Sequence, residues 1–223
     1  MSVIILDTET TGTVAPGLVE AAWQRVQDVR APVADGEPFC RRYDPGKPIE
    51  FGAMATHHIT PEDLVGCPPA SEFRLPAGVE FLVGHSIDFD WQVIGAPSVK
   101  RIDTLPLCRT LWPESDSHKQ PAMLYLLDRD AARDLCRRAH SAAVDILINL
   151  ALLRRIVAKL DFPESWNALW LHSERARVPD VMPFGKHKGQ RIANVPPDYK
   201  QWLLKQSDVD PYLAKALRGE TVA

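Results

Sequence analysis

The chain has 223 residues, which allows one large domain or one domain with a small appendage. Hydrophobic residues make up 45% and charged residues 25%, so the composition argues against disordered, collagen-like and coiled-coil proteins. No apolar run approaches the roughly 20 residues of a membrane-spanning helix. The first residues, MSVIILD, lack the basic leader and the cleavage site of an export signal. We therefore expect a cytoplasmic protein without a membrane partner.

Charge is unevenly distributed along the sequence. The formal net charge is -3, but residues 1–150 hold 14 basic and 21 acidic residues, whereas residues 151–223 hold 12 and 8. An acidic body with a basic tail suits a metal site joined to a surface that contacts a polyanion. Imbalances of this size are also common in proteins that do neither.

Predicted strands come first along the chain, and helices follow. Alternating or β-branched runs predict strands at 2–6, 18–26, 37–43, 80–83 and 100–102. The first three are expected to form an antiparallel meander. Helical patterns predict helices at 61–65, 105–111, 122–127, 131–138 and 141–159, the last with the clearest apolar stripe. This order predicts an α/β domain over residues 1–160.

Two further segments are predicted beyond Leu160. Residues 161–180 are expected to be a partly helical connector, and residues 181–223 a small basic module. The module is predicted to hold a β-hairpin over 181–194 and helices at 197–206 and 211–217. The hairpin carries three cations, Lys186, Lys188 and Arg191. They either bind the phosphates of a single nucleic-acid strand or belong to a solvated loop. Tyr199 and Trp202, three residues apart, are interpreted as module core in preference to a base-stacking platform.

Three acidic clusters carry candidate chemistry. Asp7 and Glu9 lie two residues apart on the first strand and share a face, where two like charges repel unless a cation lies between them. Asp88 and Asp90 open a predicted helix, where either acid could simply be a cap. Asp145 lies at an otherwise apolar helix position, five residues after His140, and needs a partner. Each cluster alone is also explained by an acidic turn or a helix cap.

Together, the clusters resemble a known family. DTET at 7–10, GHSIDFD at 84–90 and HSAAVD at 140–145 are similar in order and spacing to the three motifs of the DEDDh 3′ to 5′ exonucleases. This family includes the replicase proofreading subunit, ribonuclease T and oligoribonuclease. The resemblance extends over residues 3–158, and TLWP at 110–113 and FGKHKG at 184–189 resemble the bacterial exonuclease X group. Two positions depart from the family pattern, since Ser86 replaces a usual Asn and Thr13 replaces an apolar residue.

The resemblance implies a fold and a set of site residues. The fold is a ribonuclease H-like mixed five-stranded sheet flanked by helices, followed here by the small C-terminal module. Four carboxylates would bind two divalent cations, Mg²⁺ or Mn²⁺, beside the scissile phosphate: Asp7, Glu9, Asp90 and Asp145. Asp90 is chosen over Asp88 because the family ligand directly follows the residue equivalent to Phe89. His140 would be the general base, with a helix-capping role as its alternative.

The same resemblance implies substrate contacts and an activity. Residues expected to contact substrate are Thr8, Thr10, His57 and His85, although His85 could equally be a packed strand-end residue. The implied activity is metal-dependent 3′ to 5′ hydrolysis of nucleic acid with a free 3′ end, releasing 5′-mononucleotides. Single-stranded DNA is the favoured substrate, DNA repair the expected setting and a homodimer one expected state. The alternatives are an exoribonuclease, or a non-catalytic nucleic-acid-binding or partner-recruiting protein on a degenerate nuclease fold.

Overall fold

The computed structural model describes residues 2–138 and 140–220 and divides the chain into two compact units, Met1–Trp170 and Leu171–Ala223. The division falls inside the predicted connector. Within the described residues, no helix is long and apolar enough to cross a membrane.

The first unit is built on one five-stranded sheet. Its strands are β1 (Ser2–Thr10), β2 (Leu18–Gln27), β3 (Val33–Arg42), β4 (Val79–Gly84) and β5 (Lys100–Asp103), in the order β3-β2-β1-β4-β5. β1 pairs antiparallel with β2 and parallel with β4, while β2–β3 is antiparallel and β4–β5 is parallel. This arrangement confirms the predicted mixed sheet and its meander.

The burial of each strand follows its place in the sheet. β1 lies at the centre, and Val3 to Leu6 are buried without the alternation expected of a half-exposed strand. β3 lies at the edge and is almost entirely exposed, which suits Pro38 because proline cannot donate a ladder hydrogen bond. β1 also continues four residues past its predicted end, so the acidic motif lies within the strand.

The α-helices of residues 51–177 lie between the strands in the chain or follow the last strand. They are α1 (Phe51–His57), α2 (Ile87–Val93), α3 (Thr104–Leu111), α4 (Gln120–Leu127), α5 (Arg129–Leu135), α6 (Ala142–Lys159) and α7 (Trp166–Arg177). A 3₁₀ helix at Pro61–Leu64 begins with a capping box between Thr60 and Asp63. α1 was not predicted because its only buried residue is His57, so its sequence has no apolar stripe.

The contacts of two helices, α6 and α2, with the sheet position the site. α6 packs against β1 and β2, and α2 packs against β1, β4 and β5. On the α2 side, Ile87 joins a core cluster with Ile4, Leu6 and Leu82. The two helices therefore bring their N-terminal residues to the end of β1 that carries the acidic motif.

The second unit has a small core of its own. The unit contains the helices α8 (Pro197–Leu203) and α9 (Pro211–Arg218). Residues of these two helices and of the segment before them form a buried core of six side chains: Met182, Ile192, Val195, Leu203, Leu213 and Leu217. The predicted hairpin over 181–194 is much shorter than expected: Val181 and Arg191 form one antiparallel bridge, flanked by backbone hydrogen bonds from Met182 to Gln190 and from Ile192 to Asp180, both 2.9 Å, and a 3₁₀ helix follows at Ile192–Asn194. Pro183 cannot extend the ladder, and Gly185 and Gly189 turn the chain at positive φ. The two predicted helices are confirmed, with α8 three residues shorter than expected.

Candidate active site

Three carboxylates from two elements converge at the end of β1. Ligand oxygens of Asp7, Glu9 and Asp145 all lie within 4.8 Å of one another. Asp7 and Glu9 share a strand face, and Asp145 lies in the first turn of α6. Among the described residues, no basic side chain forms an ion pair with Asp7 or Glu9. Such a group of hard oxygen donors fits Mg²⁺ or Mn²⁺.

Asp90 is held next to this group by Thr8. The Thr8 backbone N–H and hydroxyl both donate to Asp90 Oδ1, at 2.9 and 2.6 Å. Asp90 is only 6% exposed. Asp88, two residues earlier, instead pairs with Arg101 at 3.1 Å, and its side chain is 40% exposed. The structure therefore brings Asp90 to the cluster and turns Asp88 to another partner.

The pKa values of all four carboxyl groups are raised. Burial raises the pKa of Asp7 well above its usual value, and the charges of Asp90, Asp145 and Glu9 raise it further. Burial raises the pKa of Glu9 to about 8, with contributions from Asp145, Glu20 and Asp90. Burial also raises the pKa of Asp90 to about 7 against the lowering effect of the Thr8 hydrogen bonds. Burial raises the pKa of Asp145 to about 6, although His140 opposes this increase.

These shifts test whether a cation fits the group. Carboxyl groups that are buried together without a cation resist ionisation, because each negative charge is desolvated and repels the others. A divalent ion would reverse both effects by compensating several charges at once. The donor set and its electrostatics therefore fit divalent metal, with Asp7, Glu9, Asp90 and Asp145 as the residues that would hold it.

His140 lies at the mouth of this cluster, just before α6. The residue is exposed and adopts a left-handed backbone conformation with φ 68°. Its backbone N–H donates to Asp145 Oδ2 at 3.2 Å, so the predicted pair is brought together. A non-glycine residue at positive φ is strained. His140 therefore lies outside α6, exposed to solvent and with its backbone next to Asp145.

Glu20 is a site residue to which the sequence analysis gave no role. It faces Glu9 across the β1–β2 pair and is buried. Its Oε2 accepts the Ala142 N–H at 3.2 Å and so caps α6, while its Oε1 pairs with Arg42 at 3.2 Å. A glutamate within a buried apolar strand was the available signal, because such a charge requires partners.

Thr10 and His57 contact each other and lie away from open solvent. His57 Nδ1 accepts the Ile59 N–H at 3.0 Å, so its proton is on Nε2, which donates to the Thr10 carbonyl at 3.2 Å. Burial lowers the pKa of His57 and favours this neutral ring. The Thr10 hydroxyl donates to the Gly12 carbonyl at 2.9 Å. These polar groups therefore join the end of β1 to α1, and a substrate contact by either residue stays a prediction.

His85 is likewise occupied within the fold. Its Nε2 donates to the His118 carbonyl at 2.8 Å, and its Nδ1 lies 2.9 Å from the Thr104 hydroxyl. Burial lowers its pKa to about 4, so the ring is neutral. These contacts match the packed strand-end alternative. The next residue, Ser86, has φ 70° and donates its N–H to Asp103 at 2.8 Å. The left-handed conformation accounts for an Asn preference at this position in the family, because Asn tolerates it better than Ser.

The cations predicted in the C-terminal unit are all exposed. Lys186 and Lys188 flank His187 in the turn after Met182. Arg191 lines a groove of about 840 Å³ with three further cations that the sequence analysis did not select: Arg175, Lys200 and Arg218. Asp180 and Glu220 also line this groove. Tyr199 packs against the unit's core, but Trp202 is 53% exposed, so the interpretation of Trp202 as core is wrong.

Solved structures similar to this chain are exonucleases. Exonuclease X in complex with 5′ overhanging duplex DNA has a TM-score of 0.62 and 28% identity, over 77% of this chain and 99% of that chain. The relationship predicted from the motifs is confirmed. This chain is similar in structure to the DEDD-type 3′ to 5′ exonucleases. The ribonuclease H-like fold is confirmed with it.

More distant structures share the fold. E. coli exonuclease I in complex with a dA16 oligonucleotide has a TM-score of 0.57 and 18% identity, over 79% of this chain and 44% of that chain. The zinc-bound form of the E. coli exonuclease I complex with single-stranded DNA has a TM-score of 0.56 and 19% identity, with coverage of 79% and 44%. This chain therefore spans less than half of those exonuclease I chains.

The C-terminal unit has a separate match. Residues 175–212 match the sequence model of a family described as "Putative quorum-sensing-regulated virulence factor". The matched segment is a small part of the chain and lies wholly within the second unit. No curated protein matches the chain.

Proposed function

We propose that the chain is a metal-dependent 3′ to 5′ exonuclease that releases 5′-mononucleotides, with single-stranded DNA as its favoured substrate. The observation that carries the proposal is the convergence of Asp7, Glu9 and Asp145 within 4.8 Å, with Asp90 held beside them by Thr8. Hydrolysis of phosphodiesters is the activity that such a carboxylate group supports through divalent ions. The exonuclease X complex with overhanging duplex DNA and the exonuclease I complexes with oligonucleotides support DNA as the substrate.

Each site residue has a distinct part in the proposed reaction. Asp7, Glu9, Asp90 and Asp145 hold two Mg²⁺ or Mn²⁺ ions. When bound, these ions supply Lewis acidity and neutralise charge that develops on the phosphate and on the leaving 3′ oxygen. Thr8 fixes the orientation of Asp90 through its two hydrogen bonds. Glu20 fixes the start of α6 and thereby the segment that carries His140 and Asp145.

His140 takes the proton from the attacking water. Imidazole is a common proton acceptor in catalysis, and the exposed position of His140 lets it pass the proton to solvent. The hydrogen bond from its backbone to Asp145 keeps the residue next to the carboxylates without using a ring nitrogen. His140 can therefore act as a base while Asp145 remains a metal ligand.

The test uses one strand sequence made as DNA and as RNA, each labelled at the 5′ end. We expect Mg²⁺-dependent shortening of the DNA from its 3′ end, release of 5′-mononucleotides, and slower shortening of the RNA. A 3′-terminal phosphorothioate should delay the first cleavage and so report the direction. Faster cleavage of RNA would make the chain an exoribonuclease. Binding of both strands without cleavage, at any divalent metal concentration, would favour the non-catalytic alternative.

A further inference from the structure

The surface of α8 carries an exposed indole. Trp202 is 53% exposed, although a large aromatic side chain in a unit of this size is expected to serve the core. The six buried core residues of the unit pack with Tyr199 but without Trp202. A single exposed aromatic side chain is common on protein surfaces, so the neighbours of Trp202 decide whether it has a role.

Trp202 is the outer member of a ladder of three rings. The His187 and Tyr199 rings lie 4.6 Å apart at 69°, and the Tyr199 and Trp202 rings lie 5.4 Å apart at 38°. Tyr199 is anchored because it also packs against the core. A Cβ at Gly185 would approach the Tyr199 hydroxyl to 2.7 Å, so glycine makes room for this ring. The ladder therefore holds the Trp202 ring in place and leaves its outer part in solvent.

Exposed lysines adjoin both ends of the ring ladder. Lys186 and Lys188 lie on either side of His187, and Lys205 follows Trp202 by one helical turn, with its N–H bonded to the Trp202 carbonyl at 3.2 Å. None of the three forms an ion pair with an acid in the part of the chain that the structure describes. α8 itself carries one exposed acid, Asp198. Lys200, also in α8, donates to the Ala193 carbonyl at 3.4 Å and is therefore not counted with these three lysines.

We propose that the C-terminal unit binds single-stranded nucleic acid by stacking an unpaired base on Trp202, with phosphates on Lys186, Lys188 and Lys205. Every base has a π-face that stacks on an aromatic ring, and adjacent cations bind the backbone. A duplex keeps its bases stacked on one another, so this surface favours a single strand. The proposal goes beyond the nuclease activity because this unit contains none of the proposed metal ligands or the proposed base.

The experiment measures binding of the full chain to a fluorescent single-stranded DNA by anisotropy, in EDTA. Trp202→Ala should weaken binding by about 5- to 150-fold, the loss expected when one stacked base is removed. Trp202→Phe should restore most of the affinity, because it keeps an aromatic face. Phe184→Ala is the matched control, since Phe184 is a similarly exposed aromatic residue, 48%, of the same unit outside the ladder.

An abasic strand separates stacking from a general surface effect. The wild-type chain should bind the abasic strand more weakly than the normal strand, whereas Trp202→Ala should bind the two strands nearly equally. Unchanged affinity in Trp202→Ala, equal losses in Trp202→Ala and Phe184→Ala, or the same discrimination against the abasic strand in both proteins would overturn the proposal. Circular dichroism establishes that each variant is folded, and Trp202→Leu replaces Trp202→Ala if the latter is not. Because EDTA prevents metal-dependent hydrolysis, failure of the nuclease proposal would not alter this result.

Discussion

The two units arrange their charged side chains in opposite ways. In the first unit, carboxyl groups from β1, α2 and α6 are drawn together, and burial raises their pKa values. In the second unit, Lys186, Lys188 and Arg191 remain exposed on the surface. Clustered acids destabilise the fold until a cation binds, whereas exposed cations cost little and bind polyanions in a salt-dependent way. We therefore propose that the first unit carries the chemistry and that the second unit binds the strand.

The largest expected effect comes from exchanging one acid in the cluster. Asp90→Asn should abolish hydrolysis, because the amide can still accept the Thr8 hydrogen bonds but cannot supply the charge of a metal ligand. Asp88→Asn is the matched control and should keep near-normal activity, since a partly exposed ion pair with Arg101 contributes at most about 1 kcal/mol. Metal-dependent release of nucleotides measures both. An inactive Asp88→Asn beside an active Asp90→Asn would place the third carboxylate two residues earlier.

Removing the proposed base should have a smaller effect. His140→Ala should lower kcat by about 10² to 10⁴-fold, because a general base acts in the transition state. Metal-induced stabilisation and binding of single-stranded DNA should be nearly unchanged. Steady-state kinetics together with anisotropy measure these quantities. If binding fell as much as turnover, His140 would hold the substrate and the base would have to be another group.

The sequence predicts that Thr8 contacts substrate, whereas its hydrogen bonds indicate that it supports Asp90, and one substitution distinguishes the two roles. Thr8→Val removes the hydroxyl that donates to Asp90 and should lower metal affinity or activity by about 10- to 100-fold, the usual effect of losing support for a metal ligand. Thr8→Ser should keep both properties. Metal titrations of activity give the measurement. An increase in KM for the oligonucleotide at unchanged metal dependence would instead support the substrate contact expected from the sequence.

The sequence predicted the elements better than their tertiary contacts. Alternation and β-branched runs located all five strands, and the order of three short motifs selected the carboxylates. The bond from Thr8 to Asp90 joins residues 82 positions apart, so no local pattern could show it. The same holds for Glu20, which caps α6 across 122 positions.

In the second unit, ambiguous local patterns made the predicted hairpin too long and placed Trp202 in the core. Glycines beside apolar residues suggested a hairpin, but Pro183 ended the pairing after one bridge. The spacing of Tyr199 and Trp202 suits either a buried pair or a surface ladder. Only the packing of the core residues around Tyr199 decides between them.

Metal should stabilise the first unit more as the pH rises. Without metal, burial raises the pKa of Glu9 to about 8 and that of Asp90 to about 7, whereas the ordinary pKa values of these groups are 4.5 and 3.8. The folded state then binds more protons than the unfolded state, so its stability falls as the pH increases through this range. Saturation at a hundredfold excess over Kd adds about 2.7 kcal/mol. This gain should increase by about 1.4 kcal/mol per pH unit for each proton released.

Thermal unfolding with EDTA and with Mg²⁺, at pH 5.5 and pH 8, measures this dependence. The difference in Tm between the two conditions should be larger at pH 8. In Asp90→Asn, both the difference and its pH dependence should shrink. A metal effect that is equal at both pH values would mean that the ion binds elsewhere.

The smallest expected effect tests the cations of the second unit. If Lys186, Lys188 and Arg191 each contact a phosphate, replacing all three by Gln should make the salt dependence of binding shallower by about 0.7 per contact, or about 2 in total. Anisotropy with single-stranded DNA in EDTA at several salt concentrations gives this slope. The matched control replaces three exposed arginines of the first unit, Arg30, Arg129 and Arg133, by Gln and so changes the net charge equally. If both triple variants reduce the slope to the same extent, net charge alone would explain the salt dependence, whereas a loss confined to the C-terminal variant would locate the strand on the second unit.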